Sequence, residues 1–199
     1  MRFPLIDPAS AQGQTKELLD TTQRQLGRVP NLYRAMANAP AAFGAKVSYL
    51  GLLGYPNLHP VFREFASRAE VVSIAEPGYT DAVEFEDGKV MLGKHQSLRQ
   101  MNWENIKSRY GLDKFTDKVR SADFLGFVNW TMLTSMNGIW DAILKEVCPK
   151  LSGQRKKLFI DLCDPEKRTS EDISRALKLI AAFEQHFDVI FGLNQKEAC

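Results

Sequence analysis

The stretch VIFGLNQKEA, Val189 to Ala198, joins a β-branched and aromatic run to Asn-x-x-Glu at Asn194 and Glu197. The run ends at Gly192 and reads as a buried strand. In an open α/β sheet, ligands bind outside the C-terminal ends of the strands. A carboxamide and a carboxylate set there suit the organisation of hydrated Mg²⁺ and phosphate. The same four letters also spell a helix N-cap followed by Glu at N3. The chain around the string therefore decides its meaning.

That chain alternates from Lys46 onward. Lys46 to Leu53 (KVSYLGLL) is β-like and ends at Gly54-Tyr55-Pro56, and a helix is expected at His59 to Arg68 with Val61, Phe62 and Phe65 inward. Glu70 to Ala75 (EVVSIA) reads as a second buried strand. Thr80 to Phe85 and Lys89 to Leu92 flank Glu86-Asp87-Gly88, a hairpin signal. Helices around Trp103 to Tyr110 and Lys114 to Arg120 lead to the strand Asp123 to Val128 (DFLGFV), then to a helix over Met132 to Val147. Lys157 to Leu162 (KLFIDL), a helix over Thr169 to His186 and the strand Asp188 to Gly192 (DVIFG) complete the series. Strand and helix in this order predict an α/β fold, a parallel sheet with helices on both faces. Continuous apolar runs are the mark of parallel strands covered on both sides, so EVVSIA, DFLGFV, KLFIDL and DVIFG are expected to share one sheet.

Composition narrows the function classes. Of 199 residues, 44% are hydrophobic and 25% charged, with 26 basic residues against 24 acidic ones. Nucleic-acid binders concentrate Lys and Arg into a stripe; the one basic cluster, Arg155-Lys156-Lys157, reads instead as a solvated loop before a strand. Cys148, Cys163 and Cys199 are odd in number and widely spaced, which suits unpaired thiols in a reducing compartment. His59, His95 and His186 form no ligand-spaced pair. The N-terminus MRFPLIDPAS has no apolar core of signal-peptide length, and no run approaches membrane-spanning length. A cytoplasmic protein without membrane or nucleic-acid partners is the expectation.

The order of elements and the closing Asn-x-x-Glu, over about residues 46–198, resemble the PfkB-type (ribokinase-like) carbohydrate kinases. The resemblance implies a ribokinase-like sheet with a small β-hairpin lid, here YTDAVEFEDGKVMLGK (Tyr79 to Lys94), closing over a sugar or nucleoside. It also implies ATP-dependent phosphoryl transfer with Mg²⁺ as cofactor. Glu197 would hold the metal through water and Asn194 would orient the phosphate-side network. Asp81 and Glu84 of the lid would reach substrate hydroxyls, or would only solubilise an exposed hairpin edge. Asn129 would bond a hydroxyl beside Trp130, or would make a turn beside a core tryptophan. Asp161 lies on the next strand, and Asp164-Pro165-Glu166-Lys167-Arg168 resembles the D-P-x-x-R that follows it in many members. Arg168 would contact phosphate or pair with a carboxylate.

The first 45 residues differ in grammar. They read as helices, with Leu18, Leu19 and Leu26 apolar and Gly27 a stop. RVPNLYRAMANAPAAFGA (Arg28 to Ala45) resembles the opening of the AhpD-like, carboxymuconolactone-decarboxylase-like helical family, without the Cys-x-x-Cys helix that acts there. The division expected is therefore 1–45 and 46–199, an AhpD-like helical fragment fused to an incomplete kinase. The glycine-rich segment with the kinases' catalytic aspartate has no counterpart in these letters, so the chain is expected to be inactive and no catalytic residue is assigned. An AhpD-like antioxidant or decarboxylase, and a non-catalytic sugar-binding module, are the alternatives. Lids of the kinase family often pair between subunits, which implies a homodimer.

Overall fold

The computed structural model describes residues 46–194, together with Gln12 and Lys16. The helices expected within the first 45 residues, and Glu197, lie outside the described residues. The chain divides into two units, Met1–Val47 and Ser48–Cys199, and every element labelled below belongs to the second.

Strand β1 (Ser48–Gly51) pairs in parallel with β2 (Glu70–Ser73), from Ser48 opposite Glu70 to Gly51 opposite Ser73. A 3-10 turn at Pro60–Phe62 and helix α1 (Arg63–Arg68) make the crossover. The turn into it needs glycine. Gly54 has φ +116, and a Cβ there would meet the His59 amide at 2.4 Å. The expected inward face of α1 is corrected by the structure: Val61 is 70% exposed and Phe65 39%. Phe65 instead meets the Tyr49 ring edge-on at 5.4 Å.

Strands β3 (Tyr79–Phe85) and β4 (Gly88–Lys94) form the expected antiparallel hairpin about Glu86-Asp87, exposed along its whole length. Helix α2 (Trp103–Arg109) starts at Asn102, whose side chain accepts from the Asn105 amide at 2.9 Å, and α3 (Leu112–Ser121) follows Gly111. The pair is held by Trp103 and Phe115, edge to face at 5.5 Å. Arg109 ties α2 to the end of β2, donating to the Ile74 carbonyl while lying over the Tyr55 ring at 4.5 Å.

Strands β5 (Phe124–Phe127), β6 (Lys156–Asp161) and β7 (Phe187–Gly192) form a second parallel sheet with β6 at its centre. Helix α4 (Met136–Ala142), continued by a π turn over Ile143–Val147, connects β5 to β6. Helix α5 (Ser170–Phe183) connects β6 to β7 and is capped by Thr169, which accepts from the Asp172 amide at 3.2 Å. Rows Leu125, Leu158, Val189 and Phe127, Ile160, Phe191 lie in register on one face. That face meets the helices, with Phe127 5.7 Å from Phe183 and 6.0 Å from Trp140. Trp130, Trp140, Phe183 and Ile160 are fully buried in this core, and such side chains contribute about 1.5–3 kcal/mol each by leaving water.

The α/β class, the parallel strands with helical crossovers and the hairpin are as expected. The grouping differs: EVVSIA pairs with SYLG in its own two-stranded sheet, and only the other three runs share one. Apolar character marks burial, whereas the neighbour of a strand is set by the crossovers. The hairpin and two helices intervene between β2 and β5. Among the described residues, helices also cover only one face of β5–β6–β7.

Candidate functional site

Parallel strands bring their C-terminal ends to one side. The register sets Phe127 beside Ile160 and Asp161 beside Gly192, so Asn129, Asp161 and Asn194 emerge from the same end of adjacent strands. With neighbouring strands about 4.8 Å apart, the three span about 10 Å. Backbone geometry marks this end as well. Among the described residues, the non-glycine positive φ values are Asn129 at 63°, Cys163 at 59° and Asp164 at 61°. All three follow directly on β5 or β6. Left-handed backbone costs an ordinary residue about 1–2 kcal/mol, and such residues cluster where function imposes a shape.

Specific bonds hold that shape. The Asp161 carboxylate accepts from the Cys163 amide at 3.0 Å, and Lys167 meets Asp164 at 3.0 Å. The Thr131 amide donates to the Leu162 carbonyl at 3.0 Å, lacing the two strand-end loops together. Arg168 locks the first loop from behind. Its guanidinium lies 4.4 Å from the Trp130 ring centre, donates to the Trp130 carbonyl at 3.1 Å and pairs with Asp172 at 3.1 Å. It also reaches the Thr131 and Thr134 carbonyls at 3.4 Å. Trp130 in turn donates to Asn137 at 2.7 Å, and Asn137 donates to the Asp172 carbonyl at 3.1 Å. The Thr131 hydroxyl is buried without a hydrogen-bond partner, a cost of about 1–3 kcal/mol carried by the same loop.

Of the residues expected from sequence, the structure gathers Asn129, Asp161 and Asn194. Trp130 is a core side chain with no exposed surface. Arg168 takes the carboxylate partner, with its side chain 9% exposed. Asp81 stands on the hairpin, exposed, and pairs with Lys94 at 2.6 Å across the strands. Glu197 lies outside the described residues. Sequence reasoning did not single out Asn137, the left-handed backbone at Cys163 or the left-handed turn at Asp164. The sequence does carry one hint, since Asp161 ends the strand and Asp164 follows three residues later, and Asp tolerates both turns and left-handed backbone.

Chemically, this end offers amide and carboxylate groups to hydroxyls. It is less suited to polyphosphate: the first turn of α5 carries Glu171 and Asp172, which oppose an anion at that helix start. Among the described residues, no group of three or more His, Cys, Asp and Glu is placed to hold a metal ion. No chemical step is assigned through Mg²⁺–ATP. Cys148, 2% exposed, has its thiol pushed up to about 11 by burial, so it stays protonated and a poor nucleophile at neutral pH. Among the described residues no helix is long and apolar enough to cross a membrane.

A family model described as prokaryotic ketohexokinase matches residues 9–199. The chain is similar to the ketohexokinase of Haloferax volcanii, at 30% identity over 183 residues, which are 92% of this chain and 48% of that protein. The chain thus spans about half the length of the curated relative it matches. No solved structure matches it. The family match takes in most of the segment 1–45 and does not set it apart as an AhpD-like fusion. A sugar-kinase family is what the order of elements and the closing Asn-x-x-Glu led one to expect, and the chain belongs to the prokaryotic ketohexokinase family.

Proposed function

We propose that residues 46–199 carry the sugar-side part of a ketohexokinase-type phosphoryl-transfer site. One observation carries the reading: in a chain of this family, Asn129, Asp161 and Asn194 meet at one end of a parallel sheet. Asn129 and Asp161 bond hydroxyls of a ketohexose, while Arg168 holds the Asn129 loop rigid from behind. The hairpin closes over the sugar and excludes water, which directs a phosphoryl group to a hydroxyl rather than to solvent. ATP and Mg²⁺ are the co-substrate and cofactor implied by the family, with Asn194 and Glu197 on their side of the site. We expect the 199-residue chain by itself to bind the sugar without turning it over, since Glu171 and Asp172 in the first turn of α5 oppose a polyphosphate at that helix start.

A homodimer through the hairpin is part of the same reading. Tyr79, Val83, Phe85, Val90 and Leu92 share one hairpin face and are 43–59% exposed. A lone two-stranded hairpin is marginal in water, and pairing with its copy would cover that face.

The test is calorimetric titration of the chain with ketohexoses and aldohexoses. Binding of a ketohexose that is lost in Asp161→Ala, with phosphoryl transfer at background, supports the reading. No binding, or binding indifferent to Asp161→Ala, refutes it.

A further inference from the structure

Asn129 follows β5 and Asp161 ends β6, so a ligand bonded by both needs the two strand-end loops held in one geometry. The β5 loop is chained to the helix after it: the Leu133 amide donates to the Asn129 carbonyl at 3.2 Å, and the Met136 amide to the Leu133 carbonyl at 2.9 Å. Asn137 is the second residue of that helix, α4, and is 4% exposed. Among the described residues the buried polar side chains are Thr116, Thr131 and Asn137. Thr116 bonds the Leu112 carbonyl of its own helix, and the Thr131 hydroxyl has no hydrogen-bond partner. Of the three, Asn137 is the one whose side chain joins two other elements.

Its orientation is forced. An indole N–H only donates, so the Asn137 oxygen faces Trp130 at 2.7 Å and its NH₂ group faces the Asp172 carbonyl at 3.1 Å. Arg168 joins the same two residues a second time, through the Trp130 carbonyl and the Asp172 carboxylate. Trp130, Asn137, Asp172 and Arg168 thus close a ring that fastens the β5 loop to the start of α5. The β6 loop leads into that same helix start, and Asp172 is fixed there at its amide by Thr169 at 3.2 Å. A buried carboxamide is costly unless both its ends are bonded. An aliphatic side chain would fill the space without that cost, so what the carboxamide adds is a fixed direction between two loops.

We propose that Asn137 is a positioning residue: from within the core it holds the Asn129 loop against the start of α5 and so sets the spacing of Asn129 and Asp161. It touches no ligand itself. What it positions rests on the sugar reading, whereas the positioning rests on the ring alone.

The experiment compares the intact chain with Asn137→Leu, which fills the space and removes both bonds. Asn137→Asp, close in shape, keeps the acceptor for the indole and removes the donor to Asp172; it is the second variant should Asn137→Leu not fold. Hydrogen exchange is read first, without sugar. The expected result is at least tenfold faster exchange of the Thr131, Leu133 and Cys163 amides, with the amides of Leu158 and Ile160 in β6 unchanged. Calorimetric titration with a ketohexose, at a temperature where circular dichroism shows the variant folded, is expected to give at least tenfold weaker binding. Exchange that quickens equally in β6 marks a residue that only stabilises the core and overturns the proposal, as does unchanged loop exchange or unchanged affinity. A wild-type chain that takes no ketohexose refutes the sugar reading and this proposal with it. Binding by the wild type with loop exchange indifferent to Asn137 refutes this proposal alone.

Discussion

Replacing Arg168 by Ala tests the strand-end loop most sharply, because one side chain holds it by three kinds of contact. The side chain is 9% exposed, and its bond to the Trp130 carbonyl at 3.1 Å is charge-assisted. Such a bond is worth about 1.5 kcal/mol at the low end of its range. The guanidinium 4.4 Å from the Trp130 ring centre adds about 1 kcal/mol. The pair with Asp172, whose side chain is 39% exposed, is discounted for solvent to about 0.5 kcal/mol. Together the loss is about 3 kcal/mol, before any gain from relaxation of the loop. With a urea m-value of about 2 kcal/mol/M for a chain of this size, the midpoint falls by about 1.5 M. Arg168→Lys keeps the charge but not the planar fork, and should lose about half as much. Urea unfolding followed by circular dichroism measures both. A shift below about 0.3 M for Arg168→Ala would show that the loop is held by other contacts, and the reasoning would fail.

Leu158, fully buried at the middle of the central strand, should cost about 3 kcal/mol when cut to Ala, measured by the same unfolding curves; a loss under 1 kcal/mol would contradict the placement of the core. Asn129→Gly should leave thermal stability nearly unchanged while Asn129→Ala loses about 1 kcal/mol, because φ at 63° suits glycine and strains alanine. Equal effects would speak against the left-handed turn. Burial raises the Cys148 thiol to about 11 from its ordinary 9.0, so the unfolded chain loses that proton first as pH rises. Its contribution to stability is whole below about pH 9 and falls toward pH 11, by about 1 kcal/mol between pH 8 and pH 10. Unfolding curves of the wild type against Cys148→Ala should converge by that amount over the same interval. Curves that stay parallel would show that the thiol titrates normally.

Much of the fold was legible because its strands announce themselves. DFLGFV, KLFIDL and DVIFG are apolar at successive positions, and each is a strand to within a residue or two. EVVSIA was equally legible as a strand but not as a member of another sheet, since its partner is chosen by the crossover at Pro60–Arg68. Helix α1 misled for a related reason. Val61 and Phe65 have helical spacing, yet a six-residue helix beside a two-stranded sheet has little surface to bury them against. The placement of Asn129, Asp161 and Asn194 at the C-terminal ends of adjacent strands could be read from the sequence, because each stands at or just past the end of an apolar run. The network Arg168–Trp130–Asn137–Asp172 could not, because its members stand up to 42 residues apart between 130 and 172 and meet only through packing.

The central claim is that the C-terminal ends of β5, β6 and β7 form the sugar side of a kinase site. Titrating the isotopically labelled chain with a ketohexose, and following backbone amide resonances, tests it directly. The account predicts saturable shifts concentrated at Asn129 to Thr131, Asp161 to Asp164 and Leu193 to Asn194, with the amides of α3 still. Absence of saturable shifts, or shifts confined to surfaces remote from these strand ends, would contradict it.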